Sequence, residues 1–104
     1  DSMKSASEEL VKSALKDGWK VELIDEERHS MCIGSSNFKE IMEHIHSVDV
    51  SELHLQKVGE KHDWAYIVMC NEPDEEISDC TVGGYIDKWC ERTDFGQDGE
   101  HNEV

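Results

Sequence analysis

The apolar residues of this 104-residue chain change their period along its length, and that change constrains the fold more than any other feature. Leu10, Val11, Ala14 and Leu15 form one helical stripe, predicting a helix over about residues 7–17 that Gly18 ends. Phe38, Ile41, Met42 and Ile45 repeat at i, i+3, i+4 and i+7, and Asn37 with Glu40 makes a capping-box-like start. Val82, Tyr85, Ile86, Trp89 and Cys90 make a third stripe, with Thr81 or Asp79 as the expected N-cap. Gly83 and Gly84 weaken its first turn by about 1 kcal/mol each relative to Ala.

Between these stripes the period falls to two. Trp19, Val21 and Leu23 alternate with Lys20 and Glu22, as one side of a half-buried strand does. Residues 29–34 return as its hairpin partner across the polar Asp25–Arg28 turn, and Leu53 and Leu55 alternate with His54 and Gln56. Residues 64–70 are apolar on both faces and are the expected central strand; a short strand around Ile77 follows the acidic turn after Pro73. The order α-β-β-α-β-β-(β)-α predicts a single α+β domain, three helices on a four- or five-stranded, mainly antiparallel sheet. Shifting the chain by 45 residues aligns Trp19 with Trp64, Glu27 with Glu72 and Ile41 with Ile86. The two halves then read as a repeat, or as two ordinary hairpins that each precede a helix. Trp19, Trp64 and Trp89 are all expected to anchor the core. Residues 4–95 are the expected domain; residues 1–3 read as a cloning scar and start, and 96–104 as a disordered acidic tail.

Charge supplies the second constraint. The chain carries 25 Asp and Glu against 10 Lys and Arg, a formal charge of −15. Residues 1–20 are neutral, 21–50 carry −5, 51–70 carry −1 and 71–104 carry −9. Such a surface disfavours direct binding to nucleic acid or to an anionic membrane, since both are polyanions, and favours a basic protein. No apolar run approaches the ~20 residues that cross a bilayer, and the polar start lacks a secretory core, so a cytoplasmic location is expected.

Little in the chain points to covalent or metal chemistry. The four cysteines form no Cys-x-x-Cys pair and read as reduced thiols, with Cys70 and Cys90 as small buried hydrophobes. His44 and His46 are i and i+2 on a helix, so they point about 200° apart and cannot share one ion. A mixed metal site, such as Cys32 with His29 and a distant partner, is the form a metal site would take. Cys80 is the sole candidate nucleophile by position, but its acidic neighbours should raise its pKa. No nucleotide, calcium or catalytic motif is present, so neither an enzyme nor a cofactor is expected.

The acids themselves are the candidate site. Asp74, Glu75, Glu76 and Asp79 precede the last helix, and Asp87, Glu91 and Asp94 recur at i, i+4 and i+7 on its polar side. Asp25, Glu26, Glu27, Glu40 and Glu43 could form a second patch. Rows of carboxylates resemble a phosphate backbone and steer a Lys/Arg-lined site toward the protein. The alternatives are a surface kept soluble by charge, an accessory module that homodimerises through apolar surface, and a small metal-binding domain using Cys32 and histidines.

Residues 64–89 carry a resemblance as well. The apolar strand Trp64–Cys70, the acidic turn from Pro73, the Ser78-Asp79-Cys80-Thr81 segment and the aromatic helix through Trp89 look like the C-terminal half of small uncharacterised acidic proteins of phages and prophages. The resemblance implies a host-defence antagonist, including DNA-mimicking inhibitors. It transfers no catalytic residue, and the neutral N-terminal helix departs from a uniformly acidic mimic.

Overall fold

The computed structural model describes residues 5–93. Its elements are α1 (Ala6–Lys16), β1 (Lys20–Asp25), β2 (Ser30–Ser35), α2 (Phe38–His46), β3 (Val50–Gln56), β4 (Asp63–Val68), a 3-10 turn (Pro73–Glu75), β5 (Ile77–Cys80) and α3 (Tyr85–Thr93). The five strands form one antiparallel sheet in the order β2-β1-β3-β4-β5. This is the α+β arrangement expected from the alternation of periods. The expected tail and first residues lie outside the described part of the chain.

Two of the helices begin where their local residues dictate. Ser5 caps α1 by accepting a hydrogen bond from the Glu8 N–H, and Gly18, at φ 94°, turns the chain into β1. Asn37 Oδ1 accepts from the Glu40 N–H at 3.1 Å and starts α2. The third helix departs from expectation. It begins at Tyr85, and Val82, 91% exposed, belongs to the preceding turn. Gly83, at φ 76°, shapes that turn. Thr81 Oγ1 instead bonds β4, accepting from the Trp64 N–H at 3.1 Å, and Asp79 Oδ1 accepts from its neighbour Cys80 N–H at 2.9 Å. Neither caps the helix.

The cap comes from 23 residues upstream: Asp63 Oδ2, at the start of β4, accepts from the Ile86 N–H at 2.8 Å. Asp63 is 2% exposed, and a Cβ on Gly84 would run into its carboxylate, so only glycine permits this approach. Tyr85 adds a second tie. Its hydroxyl donates to Asp17 Oδ2 at 2.7 Å and its ring lies 5.3 Å from that of Trp19.

The core lies between the helices and one side of the sheet. Leu10, Ile41, Ile45 and Ile86 from the helices meet Leu23, Leu53, Leu55, Ile67 and Ile77 from the strands, all fully buried. Each such side chain contributes roughly 1.5–3 kcal/mol on burial. Register explains how the strands agree: Leu23 pairs with Leu53, Leu53 with Ala65, and Ile67 with Ile77, so core residues align across the sheet.

Three expectations are corrected by this register. The central strand is β3; β4 is interior but one place off-centre. Its second apolar side, Trp64, Tyr66 and Val68, faces away from the helices, so Trp64 is half-buried on the uncovered side while Trp19 and Trp89 are in the core. Cys70, expected to be buried, is exposed beyond the end of β4. The 45-residue shift matches Ile41 with Ile86, both core residues, yet it places core-facing Val21 on outward-facing Tyr66. Because side chains alternate with period two, that shift inverts the faces of β1 against β4, although it sets buried Cys32 of β2 on buried Ile77 of β5.

Candidate protein-binding surface

The acids singled out from the sequence divide into several roles. Asp74 and Glu75 are exposed on the 3-10 turn, Asp79 is exposed on β5 and Glu91 is exposed on α3. Among the described residues none of these four pairs with a Lys or Arg, whereas Glu8 and Glu9 on α1 share Lys12. Asp94 lies outside the described residues. Asp87 is half-buried, and its Oδ2 accepts from the Gly83 N–H at 2.7 Å, closing the turn before α3. Four-residue β5 separates Asp74 and Glu75 from Asp87, a span of roughly 13 Å. Asp79, cross-strand from Tyr66, faces away from the helices, whereas Asp87 and Glu91 lie on α3, so the acids do not form one compact cluster.

Glu76 is not a surface charge. It is 4% exposed, and its Oε1 accepts from Ser5 Oγ at 2.7 Å, Ser7 Oγ at 2.6 Å and the Ser7 N–H at 3.0 Å. The carboxylate sits at the N-terminus of α1, where unpaired N–H groups and the helix dipole favour an anion. The expectation of a partner-binding role for Glu76 is thus replaced by a structural one. An acid run after proline reads as solvated unless a helix start from elsewhere in the chain meets it.

The second group of acids is partly gathered. Asp25, Glu26 and Glu27 line, with Asp49, a shallow concavity of about 400 Å³ between the β1–β2 turn and the α2–β3 connection. Asp25 also builds its own turn, Oδ1 accepting from the N–H groups of Glu27 and His29, both at 2.9 Å.

The uncovered side of the sheet was expected only as the contact of the homodimer alternative. Cross-strand pairing lays Ser30, Ile24, Glu52, Tyr66 and Asp79 in one row across all five strands, with Glu22, His54 and Trp64 in the next. Arg28, left-handed at φ 68° in the β1–β2 turn, reaches this side and contacts Glu52 Oε2 at 2.6 Å. Glu52 Oε1 lies 3.1 Å from His54 Nε2, and His54 Nδ1 lies 2.8 Å from His62 Nε2, with the two rings stacked. The carboxylate can only accept, so His54 donates from Nε2; with His54 neutral, its Nδ1 accepts from His62. Partial burial raises the Glu52 pKa, but hydrogen bonds from His54 and Arg28 outweigh it and hold the carboxyl below its ordinary value. The sequence signal for this surface was the strand apolar on both faces, which has one face too many for a two-layer domain.

The thiols and histidines take other places. Among the described residues no three His, Cys, Asp or Glu side chains converge on a common point. Cys32 is buried, its Sγ 3.9 Å from the Val21 carbonyl, and burial raises its pKa. Cys80 and Cys90 are both buried and their thiols share a hydrogen bond, which lowers the pKa of Cys80 and raises that of Cys90. The acids near Cys80 do act upward, as expected, but the Cys90 hydrogen bond outweighs them.

No helix among the described residues is long and apolar enough to cross a membrane. No protein-family model matches the chain, and neither a curated protein nor a solved structure shows significant similarity to it.

Proposed function

We propose that this protein is a non-enzymatic, acidic interaction module that binds a basic protein partner and blocks its nucleic-acid-binding surface. A phage or other mobile element is the source that fits the resemblance of residues 64–89, and the host cytoplasm is then the place of action. The observation that carries the reading is the set of exposed acids Asp74, Glu75, Asp79 and Glu91, unpaired with Lys or Arg among the described residues, on a chain of net charge −15. A folded scaffold holds them at fixed spacing. Uncompensated charge on such a scaffold accelerates encounter with a cationic surface and repels nucleic acid itself.

The test replaces these four acids together: Asp74→Lys, Glu75→Lys, Asp79→Lys and Glu91→Lys. The parent protein, used as bait in host lysate at low ionic strength, captures a basic nucleic-acid-binding protein that moderate salt releases. The variant, folded by circular dichroism, loses that capture. Undiminished capture by the folded variant contradicts the proposal.

A second reading is an accessory module that homodimerises through apolar surface. It is favoured by Ile33, 72% exposed on edge strand β2, and by Tyr66 on the uncovered side of the sheet. Sedimentation separates the two, because apolar self-association hardly responds to salt.

A further inference from the structure

We infer that the uncovered side of the sheet is a docking face for an arginine-bearing segment of the basic partner, whose guanidinium stacks on Tyr66 and pairs with Asp79. This inference rests on the proposed function and adds to it a place and a side-chain preference. Tyr66 lies directly between Glu52 and Asp79 in its cross-strand row, and among the described residues no helix packs on its side of the sheet. Directly opposed side chains on one face stand about 5 Å apart, so a planar cation lying on the ring reaches the neighbouring carboxylate. Glu52 is already occupied by Arg28, at 2.6 Å. That contact shows a guanidinium accommodated on this face, and it leaves Asp79 as the open carboxylate beside Tyr66. Among the described residues Asp79 is exposed and makes no ion pair.

Charge selects the occupant. Glu22, Glu52 and Asp79 face outward here against Lys20 and the already paired Arg28. Asp74 and Glu75 lie in the 3-10 turn that leads into β5. A second copy, also at −15, would set like charges against one another across the contact. An arginine-bearing segment meets both the acids and the aromatic rings Tyr66 and Trp64. Arginine is preferred to lysine because its flat, weakly hydrated head group stacks and forks at once, whereas an ammonium is a compact point charge.

The experiment titrates the full chain, at low salt, with two peptides of equal length and charge, one built on arginine and one on lysine, followed by amide and indole NMR shifts. The expected result is an arginine preference of about fivefold, with the largest shifts at Tyr66, Asp79 and the Trp64 indole. Tyr66→Ala and Asp79→Asn each weaken the arginine peptide about fivefold and erase the preference, while Tyr66→Phe retains it. Equal affinities with shifts centred on Asp74, Glu75 and Glu91 overturn this inference and leave the basic-partner reading standing. Concentration-dependent shifts at Tyr66 without peptide overturn it in favour of a second copy. Absence of binding by either peptide sinks both the inference and the proposed function.

Discussion

Two hairpin–helix units flank β3, residues 20–46 on one side and 63–93 on the other, and they are built by opposite means. In the first, the turn closure and the helix cap are local. Asp25 closes the β1–β2 turn by accepting from Glu27 and His29, and Asn37 caps α2 from the adjoining position. In the second, the devices reach across the chain. Glu76 leaves the acidic turn to hold the start of α1, 69 residues from its partner Ser7, and Asp63 caps α3 from the far end of β4. The comparison teaches that similar element order does not imply similar causes. The first unit is specified by neighbouring residues, the second by the fold that surrounds it.

Removing Glu76 should break that contrast most strongly. Glu76→Ala leaves the buried Ser7 N–H without its acceptor and removes the shortest partner of the Ser7 hydroxyl, a loss of about 3 kcal/mol in denaturant unfolding. Glu76→Gln keeps the accepting oxygen and should recover much of the loss. A surface-like loss below 0.5 kcal/mol, roughly that of an ordinary exposed substitution, would show that the tie is not structural.

Next comes the remote cap. Gly84→Ala pushes a methyl group into the Asp63 carboxylate, and Asp63→Ala frees the Ile86 N–H. Each should cost about 2 kcal/mol, near the top of the range for lost caps. Because both changes disrupt one contact, the double variant should cost less than their sum. Additive losses in denaturant melts would contradict a shared mechanism.

The corresponding change in the first unit should be smaller. Asn37→Ala removes one solvent-exposed cap, worth about 1 kcal/mol, and hydrogen exchange should quicken in α2 while α3 stays protected. Equal acceleration in both helices would erase the distinction between local and remote capping.

The smallest effect concerns pH. Arg28 and His54 hold the Glu52 carboxyl below its ordinary value of 4.5, so the folded state favours the ionised form. Their stabilising contribution is present above that value and is lost as pH falls through the depressed folded pKa. Arg28→Ala should lift the Glu52 pKa toward the ordinary value, cost about 0.5 kcal/mol at neutral pH and leave little difference in acid. A carbon-detected NMR titration of Glu52 that does not move in the variant would exclude the coupling.

The legible parts of this protein are those in which the residues nearby carry the cause. Alternation at Val21, Leu23, Leu53 and Leu55 and the stripes through Leu10 and Ile41 state which side of each element avoids water, and Gly18 and Asn37 mark ends by their own backbone and side-chain chemistry. The chain therefore determined its element types, their order, a one-core α+β architecture and its acid excess. Tertiary structure decided that Glu76 would be buried, that α3 would start at Tyr85 and that Trp64 and Tyr66 would lie on the side of the sheet opposite the three helices. The physical reason is common to all three. Whether a carboxylate is solvated, a helix start is capped or an apolar side chain is covered depends on what arrives from distant sequence, and hydrophobic periodicity holds no record of that arrival.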